Sequence, residues 1–312
     1  MNFLVLGGAG FIGSHVVDSL LAAGHRVRVL EHPQSDLGNL AHVRSRIELR
    51  FADFANGVKL RQLLPDYLNG VDQVIHLVST VLPALSNKNP LYDIETNLKS
   101  TVVLLEEVVK SGVKKVVFAS TGGQIYGPAT VLPIAESNST DPLSSYGIIK
   151  LAIEKYLKLF HHLHGLDYTI LRIANPYGER QRIGGAQGAV AVFLGHLKNR
   201  EPIEIWGDGS VARDYLYIAD LVDVVLRASA ISNTVKLFNI GSGRSLSLNE
   251  LIAMLTEVSG LKVDVIYRAA RPCDSPVNFL DSGLALKHLD WEPQVSLKDG
   301  LKRTWKWVLA NA

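Results

Sequence analysis

Short apolar runs rich in β-branched residues alternate, through the first half of the chain, with longer stretches whose apolar positions recur every three or four residues. Phe3–Leu6, Val27–Leu30, Ile47–Phe51, Gln73–Leu77, Lys115–Ala119 and Tyr168–Ile173 predict strands. His15–Ala23, Gly57–Leu64, Asp93–Lys110 and Tyr146–His162 predict helices. Strands that alternate with helices pair in parallel and carry helices on both faces, so the expected fold is α/β, a doubly wound parallel sheet of the Rossmann-like kind. After Asn175 the rhythm breaks into glycines, Gln-Arg pairs and isolated runs such as Pro202–Trp206, which predict a smaller mixed α/β C-terminal lobe. The run Lys236–Ile240 has the character of a strand returning to the main sheet. The expected division is 1–174 for the first domain, with 212–240 returning to it, and 175–211 plus 241–312 for the lobe.

Composition narrows the functional classes. Of 312 residues, 47% are hydrophobic and 20% charged, as in an ordinary globular enzyme. Lys+Arg 32 against Asp+Glu 30 gives no basic surplus, so no nucleic acid and no membrane surface is expected as a partner. A single cysteine, Cys273, excludes an internal disulfide and fits a reducing compartment. The start MNFLVLGGAG reads as a strand entering glycines rather than a signal peptide, so a cytoplasmic location is expected. No metal-ligand cluster stands out.

GGAGFIG follows the first strand and opens the first helix, with Gly7, Gly10 and Gly13 spaced by two residues. Glycines allow a tight turn and let backbone approach a pyrophosphate, whose charge then rests on the helix N-terminus. Glu31 ends the second strand, where an acid accepts from the adenosine ribose diol and repels a 2′-phosphate. No Lys or Arg adjoins it, and His32 follows, so NAD is favoured over NADP. Asp53 suits an adenine amino group, or equally a solvated loop.

Tyr146 and Lys150 lie four apart, on one helix face. Of the 10 tyrosines this alone has a lysine four residues on. A free phenol titrates near ~10, and a neighbouring ammonium and a positive nicotinamide would lower it by about three units, enough for a general base. A surface tyrosine beside a solvated lysine is the plain alternative.

With GGAGFIG, VIHL, STGGQIYG, YGIIK, ILRIANPYG, GDGSVARDYLYIADL, FNIGSG and RPCDSP in this order, the chain resembles the extended short-chain dehydrogenase/reductase family, in its nucleotide-sugar epimerase branch. The resemblance implies an NAD-binding domain and a lobe that holds a UDP-sugar. It implies Tyr146 as base, Lys150 as its electrostatic partner, and Asn97 as a structural asparagine near the cofactor. Phe11, Ile12, Phe54, Leu77, Val78 and Ile173 fall at positions lining the cofactor. Asn175, Arg213 and Arg271 look like diphosphate ligands, where a guanidinium fork suits the chemistry. Asp274 would hold the uridine ribose, and Trp206 would flank the base. Without the family pattern, Arg213 reads as a salt bridge to Asp214 or Asp220, Arg271 as a solvated arginine and Trp206 as core. Val78, Ser79 and Cys273 depart from common family residues.

Related dehydratases carry an Asp-Glu pair after the threonine of the STGG segment, where this chain has Gly122 and Gly123. Without those acids a water-eliminating step has no agent. The glycines are expected to leave room for a sugar ring to turn over, which favours C4 epimerisation through a 4-keto sugar. Thr121 is chosen as the acting hydroxyl, with Ser120 as the alternative and both as substrate contacts. The residue four after Asp274 is Asn278, where a short side chain would admit an N-acetyl group at C2. The rivals are a 4-ketoreductase, a decarboxylase, or a non-catalytic sensor on the same scaffold. The family implies a homodimer, and Leu98, Val102, Leu105 and Val109 offer a stripe that would face either a partner or the sheet.

Overall fold

The computed structural model describes residues 1–81, 83–185, 187–270 and 276–311. Among them a seven-stranded sheet is formed by β1 (Asn2–Leu6), β2 (Arg26–Glu31), β3 (Glu48–Phe51), β4 (Gln73–His76), β5 (Lys115–Thr121), β6 (Asp167–Ile173) and β7 (Leu237–Ile240). Their order is β7-β6-β5-β4-β1-β2-β3, and each neighbouring pair is parallel. The six strands expected from the apolar runs are present with ends displaced by one or two residues. The 236–240 run does join the sheet, against β6, with Phe238 opposite Leu171.

Strand alternation splits the core in two. Phe3, Val5, Val29, Ile75, Val117 and Leu171 face one side, which α1 (Phe11–Ala22) and the helix Ile218–Ala230 cover. Leu4, Leu6, Leu30, Val74, Val116 and Ile170 face the other, beneath α2 (Gly57–Leu68), α3 (Ser100–Lys110) and α4 (Ser145–His164). Burial on both faces is why these strands read as continuous apolar runs rather than alternating ones.

The expected helix over 93–110 is composite. A turn over Pro90–Asp93 leads into a π-helical segment, Ile94–Lys99, before α3 begins at Ser100. Widened turns of this type break helical periodicity and recur at functional sites. Leu105 belongs to the core, while Leu98, Val102 and Val109 of the same stripe are half-buried. After β6 the chain forms short strands: Asn175–Tyr177 pairs with Tyr215–Tyr217, and Ile203–Trp206 with Val265–Arg268.

Candidate active site

The sheet presents the candidate residues at the carboxyl ends of its strands, where ligands of doubly wound sheets bind. Gly7 follows β1 with φ +81, a conformation that disfavours any residue with a Cβ. A Cβ on Gly13 would collide with the Gly7 carbonyl oxygen, so the loop folds tightly onto the helix only with glycine there. No side chain caps α1, which leaves its N-terminus open to an anion. Phe11 and Ile12 start that helix half-buried. The Glu31 carboxylate is buried against the same loop: Ala9 N–H donates to one oxygen, and the Ser35 hydroxyl to the other at 2.9 Å. The Val78 Cγ2 lies about as close to Gly7 as a methyl can, 3.3 Å from where a Cβ would stand. The unusual Val78 therefore packs on the glycine loop, and Ser79 turns back to the Val81 carbonyl at 3.0 Å. Asp53 accepts from Ala55 N–H at 2.9 Å and stands 3.9 Å from His32, while the neighbouring Phe54 is buried. Leu77 follows β4 and Ile173 closes β6 at the same end. This arrangement fits a dinucleotide.

Ser144 caps α4 by accepting from Gly147 N–H at 3.1 Å, and Tyr146 and Lys150 sit on the first turns. The Lys150 ammonium donates to the Ala119 carbonyl at 2.8 Å and lies 5.6 Å from the Tyr146 ring centroid and 4.7 Å from that of Phe118. Burial lowers the lysine to about 8, with Asp93 and Glu154 opposing that fall. The expected lowering of the phenol is not found in the protein alone. Burial, aided by the negative Asp93, pushes Tyr146 up to about 12. Desolvation outweighs an ammonium that is already engaged by a carbonyl.

At the end of β5 the two hydroxyls differ. Ser120 donates to Glu154 at 2.6 Å, and Glu154 forms a buried two-pronged pair with Arg172 at 3.0 and 2.6 Å. Its hydroxyl is thus part of a packed ionic cluster. Thr121 is the last residue of β5, opposite Ile173 in register. The expectation that both glycines leave room is corrected at Gly122: a Cβ there would run into the Leu280 side chain, so Leu280 fills that space. At Gly123 the nearest atom to a Cβ would be Thr121 Oγ1 at 4.0 Å, and room remains.

Two residues beyond Ile173, Asn175 donates through its amide to the Asp214 carbonyl at 2.9 Å. It lines a cavity of about 280 Å³ together with Trp206, Arg213, Phe193 and Tyr215. Trp206 is 41% exposed, so it belongs to the cavity wall and not to the core. The two carboxylates suggested as Arg213 partners accept elsewhere: Asp214 from Ser242 and Leu280, and Asp220 from the backbone of Gln294 and Val295. Asn278 is buried opposite Arg213 and donates to the Gly122 carbonyl at 3.5 Å, while its own Oδ1 is without a partner among the described residues. Arg271, Cys273 and Asp274 lie outside the described residues.

Sequence reasoning missed three groups. Asp93, fully buried, accepts from Ser145 and Asn97, each at 2.8 Å, and Asn97 in turn accepts from Thr80 N–H at 2.9 Å. Tyr215 carries a buried hydroxyl without a partner among the described residues, at the cavity wall. His76 is buried between the Phe54 and Phe118 rings, 3.0 Å from the Thr101 hydroxyl, and burial lowers it to about 3. Asp93 has a weak signal, its place at the head of an apolar helix; the others have none.

A doubly wound sheet with a glycine cradle, a buried acid on the second strand and a Tyr–Lys pair beside the fifth defines a dinucleotide-dependent enzyme of the short-chain dehydrogenase type. The model of the NAD dependent epimerase/dehydratase family matches residues 3–241, and the chain belongs to that family. The UDP-glucose 4-epimerase of Mycolicibacterium smegmatis is 35% identical over 307 residues, covering 97% of each chain. The structure of UDP-glucose 4-epimerase with UDP-glucose from Thermotoga maritima superposes with a TM-score of 0.93 at 39% identity, covering 99% of each chain. That of UDP-N-acetylglucosamine 4-epimerase from Methanobrevibacter ruminantium, in complex with UDP-N-acetylmuramic acid, gives 0.92 at 28% identity, covering 100% of this chain and 99% of the other. The cofactor is NAD, as the family and the cradle both require. Among the described residues no helix is long and apolar enough to cross a membrane.

Proposed function

We propose that the protein interconverts a UDP-hexose and its C4 epimer through a 4-keto sugar. The observation that carries this reading is the Tyr146–Lys150 pair beside a β5 end that bears Thr121 and two glycines instead of acids. Bound NAD, held by Gly7, Gly10, Phe11, Ile12 and Gly13 at its pyrophosphate and by Glu31 at its adenosine ribose, supplies the hydride acceptor and donor. Asp53 and Phe54 border the adenine; Leu77, Val78, Asn97 and Ile173 wall the remainder. Tyr146 would remove the proton of the 4-hydroxyl and, once the 4-keto sugar has turned over, return it to that same oxygen, so that C4 is inverted by the hydride reaching its opposite face. Lys150 holds positive charge next to the phenol, and Thr121 hydrogen-bonds the same sugar oxygen. Asn175, Arg213 and Arg271 neutralise the diphosphate, Asp274 takes the uridine ribose and Trp206 the base, so that 175–211 and 241–312 form the sugar-nucleotide lobe, with Arg213 joining it from the start of the returning segment.

UDP-glucose is the first substrate to test, with UDP-N-acetylglucosamine admitted beside the short Asn278. Purified protein is incubated with a panel of UDP-sugars and products are separated by epimer. A C4-epimer mixture approached from both directions supports the proposal. Net oxidation, reduction, decarboxylation, or no turnover with any UDP-sugar would overturn it.

A further inference from the structure

Asp93 is fully buried among groups assigned to chemistry, yet no step above uses it. It lies at the last turn before the π-helical segment Ile94–Lys99, and Asn97, four residues on, donates to it at 2.8 Å. Ser145, the residue before the tyrosine, donates to its other oxygen at 2.8 Å. Asp93, Asn97, Tyr146 and Lys150 line one small cavity of about 10 Å³, room for about one water between carboxylate, phenol and ammonium. A buried carboxylate that accepts from two neutral donors is best balanced by a nearby positive charge.

We propose that Asp93 is a positioning residue of the Tyr146–Lys150 pair, a buried counter-charge set beside the phenol and the ammonium around the cavity they share. The proposal rests on the reading of Tyr146 as base and Lys150 as its partner. The neighbouring elements leave Asp93 this role. Glu154, on α4, also faces Lys150 but is paired with Arg172 of β6. His76 of β4 faces Lys150 and is neutral. Asp93 is the negative charge felt by Tyr146, and the larger of the two felt by Lys150. Without it, burial would depress the proton affinity of Lys150 further. The pair would then hold less of the positive charge that stabilises a phenolate.

The test is the pH dependence of kcat for the wild type, Asp93→Asn and Asp93→Glu, with folding checked by thermal melting. Removing the negative charge lowers both proton affinities, so Asp93→Asn should shift the acid and alkaline limbs together to lower pH, by about one unit. Asp93→Glu should keep the wild-type limbs at reduced kcat. If Asp93→Asn does not fold, Asp93→Ser removes the charge with less bulk and is read the same way. A profile scaled down with both limbs unmoved would mean that Asp93 only supports the helix, and would overturn the proposal. Tyr146→Phe separates the two readings. If it retains turnover, the assigned base is wrong. If it is inactive while the Asp93→Asn limbs stay in place, only the inference about Asp93 fails.

Discussion

Ser120 donates its hydroxyl to Glu154 at 2.6 Å, inside a buried cluster completed by Arg172. The neighbouring Thr121 closes the same strand one residue later, with its side chain on the opposite face of the sheet. Thr121→Val should therefore lower kcat about 10²-fold, the scale of a positioned hydrogen-bonding group, with the melting temperature nearly unchanged. Ser120→Ala should do the reverse, leaving kcat within a few-fold but lowering stability by about 1–3 kcal/mol through the lost hydrogen bond to the charged Glu154, which keeps its pair with Arg172. Full activity of Thr121→Val beside an inactive Ser120→Ala would exchange the two roles.

Glu31 is held against the glycine loop by Ala9 and Ser35, and the proposed function sets it against the ribose 2′ position. NAD should bind at least tenfold more tightly than NADP, by titration of cofactor-stripped protein. Glu31→Ser should reduce that preference. Equal binding of the two cofactors by the wild type would refute the assignment.

The buried Asn278 has an amide oxygen without a partner among the described residues and a donor directed at Gly122. If this position borders the C2 substituent, UDP-N-acetylglucosamine should be turned over with kcat/KM within about 100-fold of UDP-glucose. Asn278→Tyr should remove the acetylated substrate and spare the plain one. Parallel loss of both activities would point to disruption of the Gly122 contact instead.

His76 stays neutral down to about 3, whereas the unfolded chain takes up this proton near 6.5. Below about 6.5 the unfolded state holds one more proton than the native state, so stability falls with pH by up to about 1.4 kcal/mol per unit until roughly pH 3. Stability at neutral and alkaline pH is unaffected by this group. His76→Gln should flatten the acid side of a melting-temperature profile. The same slope in both proteins would assign acid lability to other groups.

Ile148, Leu159 and Leu163 are exposed on one face of α4, with Leu91, Tyr92 and Ile94 exposed ahead of α3. Apolar residues at this spacing on a helix are suited to packing against a second copy. Light scattering at micromolar concentration should give a dimer, and Ile148→Glu together with Leu159→Glu should dissociate it. A mass near 34.1 kDa for the wild type would exclude the dimer.

The sequence by itself determined the doubly wound sheet, because strand–helix alternation and apolar runs buried on both faces are local patterns that survive without coordinates. It also determined the cradle and the Tyr–Lys pair, since a glycine turn and one helical repeat need only neighbouring residues. Tertiary structure decided what depends on distant partners. Trp206 could be a core residue or a cavity wall until the lobe placed it at the surface. Gly122 could mean open space until Leu280, 158 residues on, was found filling it. Ser120 and Thr121 are equivalent hydroxyls in the chain and become distinct only when Glu154 takes one of them. Asp93 gains its meaning the same way, because a π-helical turn breaks the periodicity from which its neighbours would otherwise be read, and only the folded chain sets its charge beside Tyr146 and Lys150.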